Sequence, residues 1–110
     1  MFNFFKNDNS KVINVNDLDD LIGKINLIDI REPYEFKGGS IKGAKNIPMD
    51  TLLSNPSKYL NKEKTYYIMC QSGARSRMTS KALTKQGFDV INVSGGVGSY
   101  VGINRSRHTA

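Results

Sequence analysis

The chain is short of the residues that build extracellular scaffolds and metal modules. Its 110 residues include one cysteine and one histidine. An internal disulfide is therefore impossible, and a zinc site would lack ligands. Tryptophan is absent, and only three prolines interrupt the chain. No apolar run approaches the roughly 18 residues that a membrane span requires. The start, MFNFFKNDNSK, has neither the apolar stretch nor the small-residue cleavage site of a secretory signal. Disulfide frameworks, zinc modules and membrane anchors are excluded on these grounds. The expected compartment is a reducing cytoplasm.

At 38% hydrophobic and 24% charged, the composition is that of one soluble globular domain. That domain is read as residues 1–110, with a core over about 12–100, an N-terminal extension 1–11 and a loose basic tail 104–110. The net charge of +6 is unevenly placed. Residues 1–70 carry ten Lys/Arg against nine Asp/Glu, whereas residues 71–110 carry six against Asp89 alone. Nucleic-acid binders of single strands interleave such a patch with aromatic residues, and here only Phe88 and Tyr100 fall within it. No nucleic-acid partner is expected. A site for small anions fits the same charge better.

Strand-like and helix-like segments alternate, which predicts an α/β fold with a parallel or mixed sheet. Strands are expected at 12–15, 25–30, 44–47, 65–69 and 90–93. Asn16 reads as the N-cap of a short helix with Leu18, Leu21 and Ile22 on its apolar face, closed by Gly23. Pro33 opens a helical turn that ends at Gly38-Gly39. Asp50–Lys62 reads as two single turns of helix. From Ser76 a helix is expected with Met78, Ala82 and Leu83 inward and Arg77, Lys81 and Lys85 in water. Gly87 takes the left-handed position after its end, with Phe88 packed back on Leu83. The stretch 100–110 is read as a short helix followed by the loose tail, with His108 solvated.

The chemistry is expected in Cys70-Gln71-Ser72-Gly73-Ala74-Arg75-Ser76, which joins the clearest strand to the longest helix. A loop that opens a helix points unpaired backbone N–H groups at one spot, and the helix dipole adds partial positive charge. A cysteine at the base of that cradle favours its thiolate, below the value of roughly 8.5 for a free thiol. Gly73 lets the loop curl, and Arg75 adds a planar donor fork for an oxyanion. A lone cysteine without context is more often an ordinary buried thiol. Its place in this loop reverses that reading.

Several motifs occur in order: Asp29-Ile30-Arg31-Glu32-Pro33-Tyr34-Glu35-Phe36, Gly39-Ser40-Ile41-Lys42-Gly43-Ala44, Asn46-Ile47-Pro48, the Cys70–Ser76 loop, Gly87-Phe88 and Gly95-Gly96. This set resembles the single-domain rhodanese family of sulfurtransferases over about residues 12–100. The resemblance implies a five-stranded parallel sheet with helices on both faces and the cysteine loop at the C-terminal edge of the sheet. Three positions depart from the family pattern. Ser40 stands where a histidine is frequent, Val97-Gly98-Ser99-Tyr100 replaces a hydrophobic-acidic-Ala-Trp run, and Gln71 and Ser72 are neutral.

The resemblance and the loop physics imply one mechanism. Cys70 attacks the outer sulfur of a small anionic donor such as thiosulfate, sulfite leaves, and the Cys70 persulfide passes its sulfur to cyanide or a thiol. Gln71, Ser72, Gly73, Ala74, Arg75 and Ser76 form the binding loop, and Asp29 with Arg31 supports it. No metal and no organic cofactor is implied. Two other readings stand beside this one. A cysteine-dependent phosphatase or arsenate reductase has five residues between cysteine and arginine, whereas four intervene here. A persulfide carrier would receive sulfur from a partner protein in a relay, using the basic segment and Phe2, Phe4 and Phe5 for docking.

Overall fold

The computed structural model describes residues 11–106. Phe2, Phe4, Phe5 and His108, and the expectations placed on them, lie outside the described residues. In chain order the strands are β1 (Lys11–Asn14), β2 (Asn26–Asp29), β3 (Ser40–Ile41), β4 (Lys45–Asn46), β5 (Thr65–Met69), β6 (Asp89–Ser94) and β7 (Arg105–Ser106). The helices are α1 (Pro33–Lys37), α2 (Met49–Ser54), α3 (Pro56–Tyr59), α4 (Ala74–Lys85) and α5 (Gly96–Ser99). Five strands form one sheet in the order β1-β6-β5-β2-β4, with every neighbouring pair parallel. β3 and β7 pair antiparallel beside it.

β5 is central and covered on both faces, which is why TYYIM is an unbroken apolar run rather than an alternating one. Its pleat sends Tyr66, Ile68 and Cys70 into a core with Leu52 of α2 and Leu83 of α4, against which Tyr59 of α3 packs. Tyr67 and Met69 point the other way, to Val15, Leu18, Val97 and Tyr100. Helical segments therefore cover both faces. The strand order also places the site. From β2 the chain runs outward to β4, then returns to the centre at β5 and proceeds the opposite way to β6. The crevice at such a reversal, beyond the C-terminal ends of β2 and β5, is where open α/β sheets bind ligands.

Three local expectations are corrected. The helix expected after Asn16 is instead a pair of 3₁₀ turns, Val15–Asp17 and Asp19–Leu21, and the cap is Asn14, whose side chain accepts from the Asn16 N–H at 2.8 Å. The apolar positions Val15, Leu18 and Leu21 recur every three residues, which matches the three-residue turn. In the last stretch the short helix lies earlier, at Gly96–Ser99, and Arg105–Ser106 is a strand. Arg105 is held there by donating to the carbonyls of Val97 at 3.1 Å and Tyr100 at 2.8 Å.

The third correction concerns α4. It begins at Ala74, and its buried residues are Ser76, Thr79, Ser80 and Leu83, while Met78 is 67% exposed. Its end is as expected. Gly87 has φ +92°, its N–H donates to Thr84 O at 3.0 Å, and the Phe88 N–H donates to Leu83 O at 3.1 Å. This is the paired bonding of a Schellman motif, with Phe88 and Leu83 in one core cluster. Leu83 is the one apolar residue on the buried face of α4 and is fully buried. Leu83→Ala is expected to destabilise the fold by about 2–4 kcal/mol, read from the urea midpoint at unchanged slope.

Candidate active site

β5 ends at Met69, and its pleat turns Cys70 toward α4, where the residue is 1% exposed. The chain crosses a short loop and enters α4 through Gly73, the N-cap residue, at φ +101°. The first turn of a helix has N–H groups without intrahelical partners. Here two donors from this turn find the sulfur. The Gly73 N–H donates to Cys70 Sγ at 3.1 Å and the Ser76 N–H at 3.3 Å. Ser76 Oγ donates to Gly73 O at 3.1 Å and accepts from the Cys70 thiol at 3.4 Å; once Cys70 is a thiolate, the same hydroxyl can turn its proton to the sulfur. Burial pushes the Cys70 thiol up. The Ser76 hydroxyl and the N–H groups of Ser76, Gly73 and Ser72 outweigh it, and the group lies below its ordinary value.

The loop is clamped from the β6 side by backbone alone. The Val97 N–H donates to Cys70 O and the Gly98 N–H to Gln71 O, each at 2.9 Å. Gly96, at φ +62°, lies so close that a Cβ would stand 2.4 Å from Cys70 O and 2.5 Å from Gln71 O. Only glycine fits there.

From the β2 side the clamp is ionic. Arg31 donates from Nε and Nη2 to the Asp29 carboxylate, and both residues are buried, at 3% and 0% exposure. Ser40 donates to Asp29 Oδ2 at 2.8 Å, so the serine found in place of the frequent histidine supports this carboxylate. Two further guanidinium donors reach Gly39 O at 2.7 Å and Gln71 Oε1 at 2.9 Å. A buried ion pair is tolerable when further hydrogen bonds serve its other donors, as these two do. Asp29 and Arg31 thereby meet the loop through the Gln71 side chain.

The profile of the Rhodanese-like domain matches residues 14–102. The chain belongs to the rhodanese-like domain family. The uncharacterized protein YqhL of Bacillus subtilis is 40% identical over 74 residues, which cover 66% of this chain and 58% of YqhL. YtwF of the same organism, described as a candidate sulfurtransferase, is 38% identical over 84 residues, 74% of this chain and 79% of YtwF. A solved rhodanese-like domain protein from Staphylococcus aureus superposes with a TM-score of 0.78 at 32% identity, covering 88% of this chain and 97% of that one. The chain thus spans a little over half the length of YqhL.

Within this rhodanese-like domain the residues singled out from the sequence are brought together around one sulfur, though unequally. Gly73 and Ser76 are buried and bond it. Gln71, Ser72 and Ala74 are exposed at the rim. The Arg75 guanidinium is already engaged: Nη1 and Nη2 donate to Glu35 Oε1 and Oε2 of α1, each at 3.0 Å. The partners reinforce each other, with the hydrogen bond from Arg75 holding Glu35 below the usual carboxylate range and Glu35 raising Arg75 further.

Sequence reasoning passed over Glu35, Ser40 and the Gly96–Gly98 backbone as parts of the site. A local signal for Glu35 existed. Glu32, Pro33 at the first helical position and Glu35 spell a capping box, and Glu35 accepts from the Glu32 N–H at 2.9 Å. Its bond to Arg75, 40 positions on, had no local signal. Among the described residues, no group of three His, Cys, Asp or Glu side chains converges as a metal site, and no helix is long and apolar enough to cross a membrane.

The sulfur's position between burial and its donors makes Ser76 a measurable control. Loss of the Ser76 hydroxyl removes a group that lowers the thiol. In Ser76→Ala the alkylation rate of Cys70 therefore rises at higher pH than in the parent, and alkylation near pH 7 slows. Rates of reaction with iodoacetamide across pH 5–10 measure both effects.

Proposed function

We propose that this rhodanese-like domain is a sulfurtransferase in which Cys70 carries the moving sulfur as a persulfide. The observation that supports this best is the convergence of the Gly73 and Ser76 N–H groups on Cys70 Sγ, in a setting that favours the thiolate. Such a cradle suits an anionic sulfur before and after transfer. With thiosulfate, the Cys70 thiolate attacks the sulfane sulfur and the S–S bond to the sulfonate breaks. Cys70–S–S⁻ and sulfite result, and charge is conserved. With a thiol persulfide R–S–SH, the products are Cys70–S–SH and the thiolate R–S⁻. In the second half-reaction a cyanide or thiolate acceptor attacks the outer sulfur and returns Cys70 to its thiolate.

The donors in the cradle are preorganised by the fold, so they meet the charge on Cys70 Sγ, as attacking and as departing thiolate, without rearranging. Asp29 and Arg31 act on this chemistry as positioning residues, because their contact with the loop ends at Gln71 Oε1. The distance from cysteine to arginine argues against a phosphatase. The first turn of α4 closes directly on Sγ, with the Gly73 and Ser76 N–H groups 3.1 and 3.3 Å away.

Intact-protein mass spectrometry tests the proposal. After brief exposure to thiosulfate or to a thiol persulfide, the protein is expected to gain one sulfur atom. Cyanide should remove it, and Cys70→Ser should never acquire it. A parent protein that gains no sulfur from either donor would sink the reading. Sulfur taken up only from a protein-borne persulfide would move the function to that of a carrier in a relay.

A further inference from the structure

Two guanidinium groups stand beside the Cys70 loop, and each is matched by one carboxylate. Arg31 is held by Asp29 in the buried pair. Arg75 is held by Glu35 in a two-fold fork at 3.0 Å, with side-chain exposures of 36% and 20%. The carboxylate is not free to drift, because Glu35 Oε1 also accepts from the Glu32 N–H at the start of α1. The hydrogen bonds directed at the sulfur therefore come from the loop and helix start, while each side-chain cation is paired with its own carboxylate.

We infer that Glu35 is a specificity-determining residue that, by occupying Arg75, turns the site away from thiosulfate and toward persulfide donors whose leaving group is a singly charged thiolate. This rests on the sulfur-transfer reading above and names its donor class. The two candidate reactions differ in what must depart. From thiosulfate the leaving group is sulfite, a compact oxyanion of charge −2, which calls for an open, bidentate guanidinium. That fork is filled here. From a persulfide the leaving group is one thiolate on carbon, which needs no guanidinium fork, and the N–H groups of Gly73 and Ser76 serve the attacking Cys70 sulfur with either donor. An incoming thiosulfate must therefore displace Glu35 or do without Arg75. A persulfide faces no such competition.

Glu35→Gln separates the two roles of this side chain. Glutamine at the third helical position still accepts from the Glu32 N–H, so the cap of α1 is retained, but it no longer neutralises Arg75. The experiment times the loading of Cys70 by intact mass under two donors, thiosulfate and the persulfide of the uncharged thiol 2-mercaptoethanol. It uses the parent, Glu35→Gln and the double variant Glu35→Gln/Arg75→Gln.

The parent is expected to load from the persulfide faster than from thiosulfate. In Glu35→Gln the ratio of thiosulfate to persulfide rates should rise roughly fivefold, the scale of one partly exposed charge pair, and the rise should shrink at high salt. The double variant should return the ratio to that of the parent. A ratio unmoved in Glu35→Gln, or a rise that survives loss of Arg75, would overturn the inference while leaving persulfide chemistry at Cys70 intact. Loading from neither donor would overturn the sulfur-transfer reading itself, and the inference with it. Circular dichroism of each variant confirms that the compared proteins are folded.

Discussion

Much of the architecture is arranged so that N–H groups from the first turn of α4 can meet one buried sulfur. Taking a thiolate out of water is unfavourable, and Cys70 is almost fully enclosed. The Gly73 and Ser76 donors offset that cost only if the helix starts directly above the sulfur and keeps a fixed rotation about its own axis. That rotation explains the face α4 presents. With Ser76 turned inward, Thr79, Ser80 and Leu83 follow at helical spacing, and Met78 is left in water. Hydrophobic patterning would have turned Met78 inward with Leu83 and left Ser76 outside. The buried hydroxyls of Thr79 and Ser80, together with Asn92 Oδ1, find no protein partner, a sign that the core yields to the site here.

The loop is held by contacts of different kinds on its two sides. From β6 comes backbone against backbone, with Val97 and Gly98 donating to the Cys70 and Gln71 carbonyls and Gly96 leaving no room for a side chain. From β2 and α1 come charges, Arg31 on Gln71 and Glu35 on Arg75. The backbone clamp sets position because it has few degrees of freedom. The ionic clamp sets the electrostatic character of the rim, because each cation there has its own anion. The segment after α5 closes the frame: β7 pairs with β3, Arg105 holds the Val97 carbonyl, and β3 contributes Ser40 to the Asp29 carboxylate.

The reversal of direction between β2 and β5 makes this arrangement possible. Neighbouring parallel strands deliver Asp29 and Met69 to the same level of the sheet. The residues that follow, Arg31 and Gln71, are then within reach of each other although 40 positions apart. The central place of β5 gives the cysteine a wall on either side.

The sequence by itself determined the class of fold, the strand that carries the cysteine and the loop proposed to carry the chemistry. Those features depend on local order: the apolar run Thr65–Met69, the glycine that caps α4 and the Gly87-Phe88 ending are written in consecutive residues. The approximate positions of all five sheet strands were legible for the same reason. Which face of α4 is buried, the 3₁₀ turns after β1, the pairing of β7 and the occupation of Arg75 by Glu35 were decided only by tertiary structure. Each depends on a partner distant in sequence, and a periodic pattern carries no information about which distant group will meet it. The rotation of a helix over a sulfur, and the choice of anion for a cation, are settled when the strands are placed side by side.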